Sequence, residues 1–240
     1  MSKIAVVNFS GNTGKTTVSD QLLTPRMNAP RFAIETINAG ASDTATEIER
    51  MKGRQFGELQ EWLMVETNAV VDVGASNVED FFKYMGQFAG SHEEFDYFLV
   101  PTVGEKKQQA DTINTIKTLA ALGVPAKKIL IVFNKVEIDD ADDLPHTFAA
   151  LFGFHELEKK FTLKRDAVIY SNEVFERLRA LKKNIAEVVQ DTTPYREMLR
   201  EAKTEQDKEH AVRMISVQRL AKSAWQNLDD VYAVLFGKGK

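Results

Sequence analysis

A chain of 240 residues is long enough for one α/β domain with a sizeable core, and its charge is mildly acidic, with 35 acidic and 31 basic residues. That balance excludes a general electrostatic attraction to nucleic acid, so any contact with DNA must be local. The absence of cysteine excludes disulfides, thiolate metal sites and thiol nucleophiles.

The predicted elements begin with a strand at Ile4–Val7, so the chain starts inside its fold and no signal peptide is expected. No later apolar run approaches the ~20 residues of a membrane span, and the expected location is the cytoplasm. Five more strands are predicted at Arg31–Asn38, Asn68–Gly74, Phe95–Val103, Lys128–Asn134 and Asp166–Tyr170. Helices are predicted between them at Val18–Leu23, Glu47–Glu66, Asn77–Phe88, Lys107–Leu122 and Pro145–Phe154.

This alternation of strand and helix predicts an α/β fold with a mostly parallel, doubly wound sheet and helices on both faces. After Glu173 the strand signals disappear, and the remaining helix candidates are Val174–Gln190, Tyr195–Ala202 and Glu205–Leu235. We therefore expect a main domain over residues 1–190 and a helical extension over residues 191–240, packed on the same domain.

The turn between the first strand and the first helix reads SGNTGKTT and ends in the Gly-Lys-Thr pattern of a phosphate-binding P-loop. Glycines let the backbone approach a phosphate, and amides at a helix N-terminus favour negative charge. In such a loop Lys15 reaches the β- and γ-phosphates and the Thr16 hydroxyl ligates Mg²⁺. The predicted nucleotide-binding residues here are Gly11, Asn12, Thr13, Gly14, Lys15, Thr16 and Thr17.

The match is incomplete, because the full pattern has glycine where this chain has Phe9. A short Gly-Lys-Thr sequence also occurs in ordinary strand-to-helix turns. The position of this one, after the first apolar strand and before a helix, favours phosphate binding and identifies a P-loop domain.

Ligands of an open parallel sheet gather at the carboxyl ends of its strands, where three polar residues are predicted. Asp72 near the end of the third strand fits an aspartate that orders Mg²⁺ through water, or one that caps the next helix. Its pairing with Lys15 and Thr16 favours the metal role. Glu35, at the end of the second strand, fits either a carboxylate that holds the attacking water or a solvated strand-end charge.

Asn134 ends the fifth strand and is predicted to hydrogen-bond the edge of a purine base, with the aliphatic part of Lys135 on the ring. The alternative is a simple turn after a strand, which asparagine favours. The following residues, through Glu137, approach the NKxD pattern of GTPases, but glutamate replaces the aspartate that contacts guanine.

The order of these parts resembles the deviant-Walker ATPases of the ParA/MinD type over about residues 1–178. The stretches NFSGNTGKTT and PTVGEKKQQADTINTI look most similar to the plasmid-stability proteins called StbB. The resemblance implies an ATPase switch that binds ATP and Mg²⁺, forms a homodimer around two nucleotides, and acts in plasmid stability, partition, positioning or conjugation. It also implies a plasmid-encoded DNA-binding adaptor as partner, and catalytic roles for Lys15, Glu35 and Asp72.

Two departures from that family leave alternatives open. The signature lysine, which reaches the partner subunit's phosphates, is replaced by Ser10, and Lys106 or Lys107 is the candidate substitute. Of the paired acidic residues after the second strand only Glu35 remains. A nucleotide-binding adaptor with little hydrolysis and a GTPase are therefore the alternatives to an ATPase switch.

The C-terminal helices carry basic and acidic residues in alternation, which is typical of a solvated helix with ion pairs at i,i+4 spacing. A DNA-contacting face is the alternative. An apolar stripe at helical spacing predicts core packing or a dimer contact there, and it comprises Met214, Val217, Leu220, Ala221, Trp225, Leu228 and Val231.

Overall fold

The computed structural model describes residues 2–34 and 53–237. Six strands lie in this part of the chain: β1 (Lys3–Val6), β2 (Arg31–Ile34), β3 (Ala69–Val73), β4 (Tyr97–Thr102), β5 (Ile129–Val136) and β6 (Val168–Tyr170). They form one sheet in the order β2–β3–β1–β4–β5–β6, and every neighbouring pair is parallel. The predicted α/β class is confirmed.

The helices of the described residues connect these strands and complete the C-terminal part. They are α1 (Lys15–Thr17), α2 (Thr24–Met27), α3 (Gly53–Val65), α4 (Val78–Gln87), α5 (Lys106–Ala121), α6 (Leu144–Thr147), α7 (Ala149–Glu158), α8 (Val174–Leu181), α9 (Ile185–Gln190), α10 (Tyr195–Glu201) and α11 (Glu205–Phe236). A π-helical segment, Val18–Leu23, joins α1 to α2.

Two apolar cores cover the two faces of the sheet. Successive strand residues point to opposite faces, so in β1 Ala5 belongs to one core while Ile4 and Val6 belong to the other. The first core contains side chains of α3, α4, α5 and α7, with many phenylalanines. The second contains side chains of the π-helical segment, α8, α9 and α11. Helices on both faces leave the carboxyl ends of the strands as the open edge for a ligand.

The long last helix is part of the second core. Its buried apolar residues include Met214, Val217, Ala221, Leu228 and Val231 of the predicted stripe. Arg26 connects α2 to this last helix. Its guanidinium lies 2.7 Å from Asp229 and 4.2 Å from the centre of the Trp225 ring. The division of the chain at residue 190 stays a prediction.

The strands lie where they are predicted, but their ends differ by a few residues. β4 covers Tyr97–Thr102 of the predicted Phe95–Val103, and the carbonyl of its Pro101 accepts a hydrogen bond from Asn8 Nδ2 at 2.9 Å. β5 runs two residues past Asn134, and its pairing with β6 is irregular there because Lys135 adopts a left-handed φ of 56°. Asn134, at this irregularity, contacts the loop that is described below.

Two predicted helices are each divided in the structure. Phe148 separates α6 from α7, since its fully buried ring packs on Phe133 with 4.7 Å between ring centres. Lys182 ends α8 in a left-handed conformation, and Asn184 starts α9 with a capping box to Glu187. A buried aromatic and a strong cap therefore override the continuous helical pattern. The predicted helix at Glu47–Glu66 is observed over Gly53–Val65, and its earlier residues lie outside the described residues.

Candidate functional site

The loop between β1 and α1 has the backbone of a phosphate cradle. Gly14 has a φ of 86° and Asn12 a φ of 59°, and the helix begins directly at Lys15. The amides of the first helical turn therefore point into the space above the loop without intrahelical partners. Such amides, with the positive end of the helix dipole, are suited to an anion.

Gly14 is required here for a second reason, because the loop touches the end of β5. Asn134 is buried, and its side-chain amide donates a hydrogen bond of 2.8 Å to the carbonyl of Thr13. A Cβ on Gly14 would lie 2.0 Å from Asn134 Nδ2, well inside any permitted contact. Asn134 therefore holds the loop in place through this hydrogen bond, and its contact with a base stays a prediction.

Lys15 lies inside the loop, with only 7% of its surface exposed. Its ammonium donates hydrogen bonds to the carbonyls of Asn8 at 3.1 Å and Ser10 at 2.7 Å. Burial lowers the pKa of Lys15 from 10.5 to about 8, and the nearby Asp72 carboxylate partly offsets this by raising it. A buried cation held by neutral carbonyls gains from an incoming anion, which is the electrostatic setting of a phosphate site.

The loop is also braced from α5 and β4. Asn8 is fully buried, and its side chain donates to Thr112 Oγ1 at 2.8 Å and accepts from the amide of Ser10 at 2.8 Å. The Gln108 amide donates to the Gly11 carbonyl at 3.1 Å. These contacts come from residues about a hundred positions apart in sequence, and they place the first turn of α5 beside the loop.

Of the two departures from the expected loop sequence, Phe9 and Ser10, the structure explains the one at Phe9. Phe9 occupies the place of the first glycine, and its ring packs edge-on against Phe82 with 5.4 Å between centres. A side chain is accommodated there because the loop backs onto the aromatic core. Ser10, in the place of the signature lysine, is buried with only 8% of its surface exposed. Lys106 and Lys107 are exposed at the start of α5.

A cleft of about 570 Å³ opens between the loop and the ends of β5 and β6. On the loop side it is lined by Gly11, Asn12, Gly14, Lys15, Thr16 and Thr17, together with Gly74 and Ala75 after β3. On the other side it is lined by Asn134, Lys135, Tyr170, Ser171, Asn172, Glu173, Phe175, Glu176 and Arg179. The volume is in the range of small-molecule and cofactor sites.

Asp72 lies at the end of β3, paired in register with Val6, and is 1% exposed. The guanidinium of Arg31 on β2 lies 3.6 Å from its carboxylate and contacts Asp20 in the π-helical segment as well. Burial raises the pKa of Asp20, and Arg31 opposes that increase. Arg31 thus joins the strand that carries the predicted metal residue to the helix that follows the loop.

We expect replacement of Arg31 by leucine to lower the free energy of unfolding by about 1–3 kcal/mol at neutral pH, because the buried Asp72 and the partly exposed Asp20 lose this counter-charge. Without Arg31 the folded-state pKa of Asp20 rises further above its ordinary 3.8, so the deficit shrinks as acid protonates the carboxylates. Denaturant unfolding at pH 7 and pH 4 measures both effects, with Arg31→Lys as the charge-retaining control. A deficit that is equal at the two pH values contradicts this assignment.

The structure brings most of the predicted residues together. The loop residues and Asn134 share one cleft, apart from Thr13, whose side chain is buried behind the loop. Asp72 is close enough to shift the pKa of Lys15. Glu35 lies outside the described residues. The arrangement can hold a polyanion at the loop and a flat group at the far end.

Several contributors were missed by sequence reasoning. Asn8, Thr112 and Arg31 support the site through contacts between distant parts of the chain, which no local motif signals. Phe175 and Arg179 were assigned only to a helix, and α8 brings them to the cleft. A general rule could have found their segment, because residues just after β6 must lie at the same sheet edge as those after β5.

No protein-family model matches this sequence, and no curated protein matches it. Solved structures do match. The MinD cell division protein of Aquifex aeolicus is 11% identical with a TM-score of 0.58, over 100% of this chain and 99% of that one. The septum site-determining protein MinD of Pyrococcus horikoshii, solved with Mg-ADP, is 14% identical with a TM-score of 0.50, over 93% and 98%. At these identities the likeness establishes the fold, which is that of the MinD structures.

Among the residues that the structure describes, no helix is long and apolar enough to cross a membrane.

Proposed function

We propose that this chain is a Mg²⁺-dependent ATP-binding switch with ATPase activity, in which the cleft holds the nucleotide. The observation that carries the proposal is the loop: Gly14 in a left-handed conformation, a start of α1 that no side chain caps, and a buried Lys15 ammonium. Together these form a cationic cradle for a triphosphate. The Mg-ADP complex of the Pyrococcus horikoshii protein, which has the same fold, is in keeping with this.

We assign a separate role at the phosphates or the metal to each residue of the site. Lys15 would exchange its bonds with the Asn8 and Ser10 carbonyls for phosphate oxygens, and the loop amides would orient the chain of phosphates. Thr16, exposed in the cleft, and Asp72 are the oxygen donors for the metal. When bound, Mg²⁺ neutralises charge that develops on the phosphates. Glu35 is proposed to hold the attacking water.

The other end of the cleft suits a purine. We assign the base to the space beside Asn134 and Lys135, with the aliphatic part of Lys135 on the ring and Phe175 nearby. Asn134 already donates to the Thr13 carbonyl, so the same side chain couples the base position to the conformation of the loop. This coupling is a physical route by which a bound base stabilises the phosphate cradle.

The cellular role that we propose is plasmid stability, partition or positioning in the cytoplasm, and it extends to conjugation. It rests on the resemblance to ParA/MinD-type ATPases, and to StbB in the loop and at residues 101–116. The partners in this proposal are a second copy of the chain, joined on nucleotide binding, and a plasmid-encoded DNA-binding adaptor. A nonspecific contact with DNA is part of the same proposal, and salt-dependent affinity for duplex DNA tests it.

The experiment is phosphate release from ATP with and without Mg²⁺. We expect Asp72→Asn to lower the Mg²⁺-dependent rate by at least about tenfold, because the amide no longer attracts the cation. Binding of ATP without the metal should be retained. Replacement of the exposed Asp139 by asparagine is the matched control and should leave the rate unchanged. Hydrolysis by the Asp72 variant at the wild-type rate is incompatible with the proposed metal role.

The second candidate is a nucleotide-binding adaptor with little hydrolysis, which Ser10 favours. A buried serine cannot deliver a positive charge to a partner's phosphates, so one stabilising cation is lost unless Lys106 or Lys107 replaces it. Bound but intact nucleotide, recovered from purified protein after incubation with Mg²⁺, distinguishes the adaptor from the ATPase. A GTPase is the third candidate, and competition between ATP and GTP for the cleft decides it.

A further inference from the structure

A second cavity, of about 800 Å³, lies next to the nucleotide cleft and has no role in the proposed function. Its walls come from α8, α10 and α11, and Ser171, Asn172 and Glu173 line both this cavity and the cleft. Its basic residues are Arg177, Arg196, Arg200 and Arg219. A smaller cavity of about 340 Å³ shares Arg196 and Arg219 with it and adds Lys222. We call the two together the arginine groove.

The helical periodicity of the walls explains why these side chains converge. Arg196 and Arg200 are four residues apart on α10 and so share one face. On α11, Val212, Ser216 and Arg219 are likewise on one face. Because α10 packs against α11, the two faces meet and the guanidinium groups gather around a common space.

Arg177 is already engaged, whereas the other three arginines are not. Arg177 donates hydrogen bonds to Ser216 Oγ at 3.0 Å and to Glu173 at 2.8 Å, and the first of these connects α8 to α11. The side chains of Arg196, Arg200 and Arg219 make no hydrogen bond or ion pair with the residues that the structure describes. Three exposed guanidiniums around one cavity repel each other, and an anion would relieve that repulsion.

The groove is also apolar between these charges. Leu199, Val212, Ile215 and Leu220 line it, and Val212 is 52% exposed, which is high for a valine on a packed helix. The groove therefore offers hydrophobic contact together with guanidinium forks. Guanidinium forks match the geometry of carboxylates and bind them in pairs of hydrogen bonds.

We propose that the arginine groove binds an acidic peptide segment of a partner protein, with apolar side chains inserted in the cavity and carboxylates on Arg196, Arg200 and Arg219. Duplex DNA fits less well, because its phosphates lie on a convex polar backbone that cannot fill an apolar cavity. The chain as a whole also carries a charge of −4, Glu197 lines the smaller cavity, and Glu201 follows Arg200 in sequence. These acidic neighbours repel an extended polyanion more than a short peptide.

The test uses the full chain and a fluorescein-labelled synthetic peptide in which glutamates flank leucines, with fluorescence anisotropy as the measurement. We expect saturable binding that weakens with salt. The triple variant Arg196→Ala, Arg200→Ala, Arg219→Ala should lose about tenfold or more in affinity, since three charge pairs are removed. The control variant Lys203→Ala, Lys208→Ala, Arg213→Ala removes the same charge from positions that do not line the groove, and should bind normally.

A second peptide, with glycine in place of leucine, should bind several-fold more weakly because it buries no apolar side chain against the apolar residues of the groove. Circular dichroism shows whether both triple variants remain folded, and a single variant, Arg219→Gln, replaces the test variant if it does not. The proposal is overturned if the control variant loses as much affinity as the test variant, or if the glycine peptide binds equally well. It is also overturned if a short DNA duplex binds and displaces the peptide at lower concentration.

Discussion

Replacement of Gly14 by alanine is expected to abolish nucleotide binding and to lower the free energy of unfolding by about 2–4 kcal/mol. Two costs combine. An alanine at a φ of 86° is strained by about 1 kcal/mol, and its Cβ would lie 2.0 Å from Asn134 Nδ2. Either Asn134 must leave the Thr13 carbonyl or the loop must move, and both changes disrupt the cradle.

The two costs can be separated by a double-mutant cycle. Asn134→Ala removes the clash but also the hydrogen bond to Thr13, so the single variant is destabilised by about 1 kcal/mol. In the double variant the clash is absent, and the total cost should fall short of the sum by about 1–3 kcal/mol. Denaturant unfolding measures each corner of the cycle.

Gly11→Ala is the matched control for Gly14→Ala. A Cβ at Gly11 meets no described atom within 4 Å, and its φ lies outside the left-handed region. We therefore expect a change in stability within about 0.5 kcal/mol. Additive costs in the cycle, or an equal loss of stability in Gly11→Ala, contradict the proposed contact between the loop and β5.

The second large effect concerns Lys15. Lys15→Met keeps the length and the apolar part of the side chain but removes the ammonium that contacts the loop carbonyls. We expect the affinity for ATP to fall about a hundredfold, which corresponds to the loss of about 3 kcal/mol from a charged hydrogen bond to phosphate. Isothermal titration of both proteins measures the change. An affinity that is the same in the variant rules out a role for Lys15 at the phosphates.

The buried ammonium also makes the stability of the empty protein depend on pH. In the unfolded chain Lys15 is protonated up to its ordinary pKa of 10.5, whereas burial lowers its pKa to about 8 in the folded chain. Between these pH values the unfolded state binds more protons, so the folded state gains stability as pH rises. Unfolding at pH 7 and pH 10 should therefore show a gain of about 2 kcal/mol in the wild type relative to Lys15→Met.

The parts of the fold that could be predicted are those set by local pattern. Apolar runs such as residues 69–71 have to be buried on both faces, so the alternation of strands and helices indicated the α/β class and the parallel sheet. The Gly-Lys-Thr sequence after the first strand predicted the phosphate-binding loop, because this motif depends only on glycine and a helix start that are adjacent in sequence. The cleft was expected at the carboxyl ends of the strands for the same reason.

What could not be predicted depends on contacts between distant residues. Arg31 on β2 forms an ion pair with Asp72 on β3, and nothing in the sequence around Arg31 indicates that partner. The contact of Asn134 with a base stays a prediction, whereas no local pattern signalled the hydrogen bond that its amide donates to the Thr13 carbonyl. Phe148 divides a helix because its ring packs in the core against Phe133, and helical periodicity in the sequence does not indicate that contact.

The most direct test of the central claim is isothermal titration calorimetry of the 240-residue chain with ATP and Mg²⁺, with GTP in a parallel titration. We expect saturable uptake of a purine triphosphate by the wild type and its loss in Lys15→Met. If folded wild-type protein takes up neither nucleotide, the cleft does not hold a triphosphate and the proposed function is wrong.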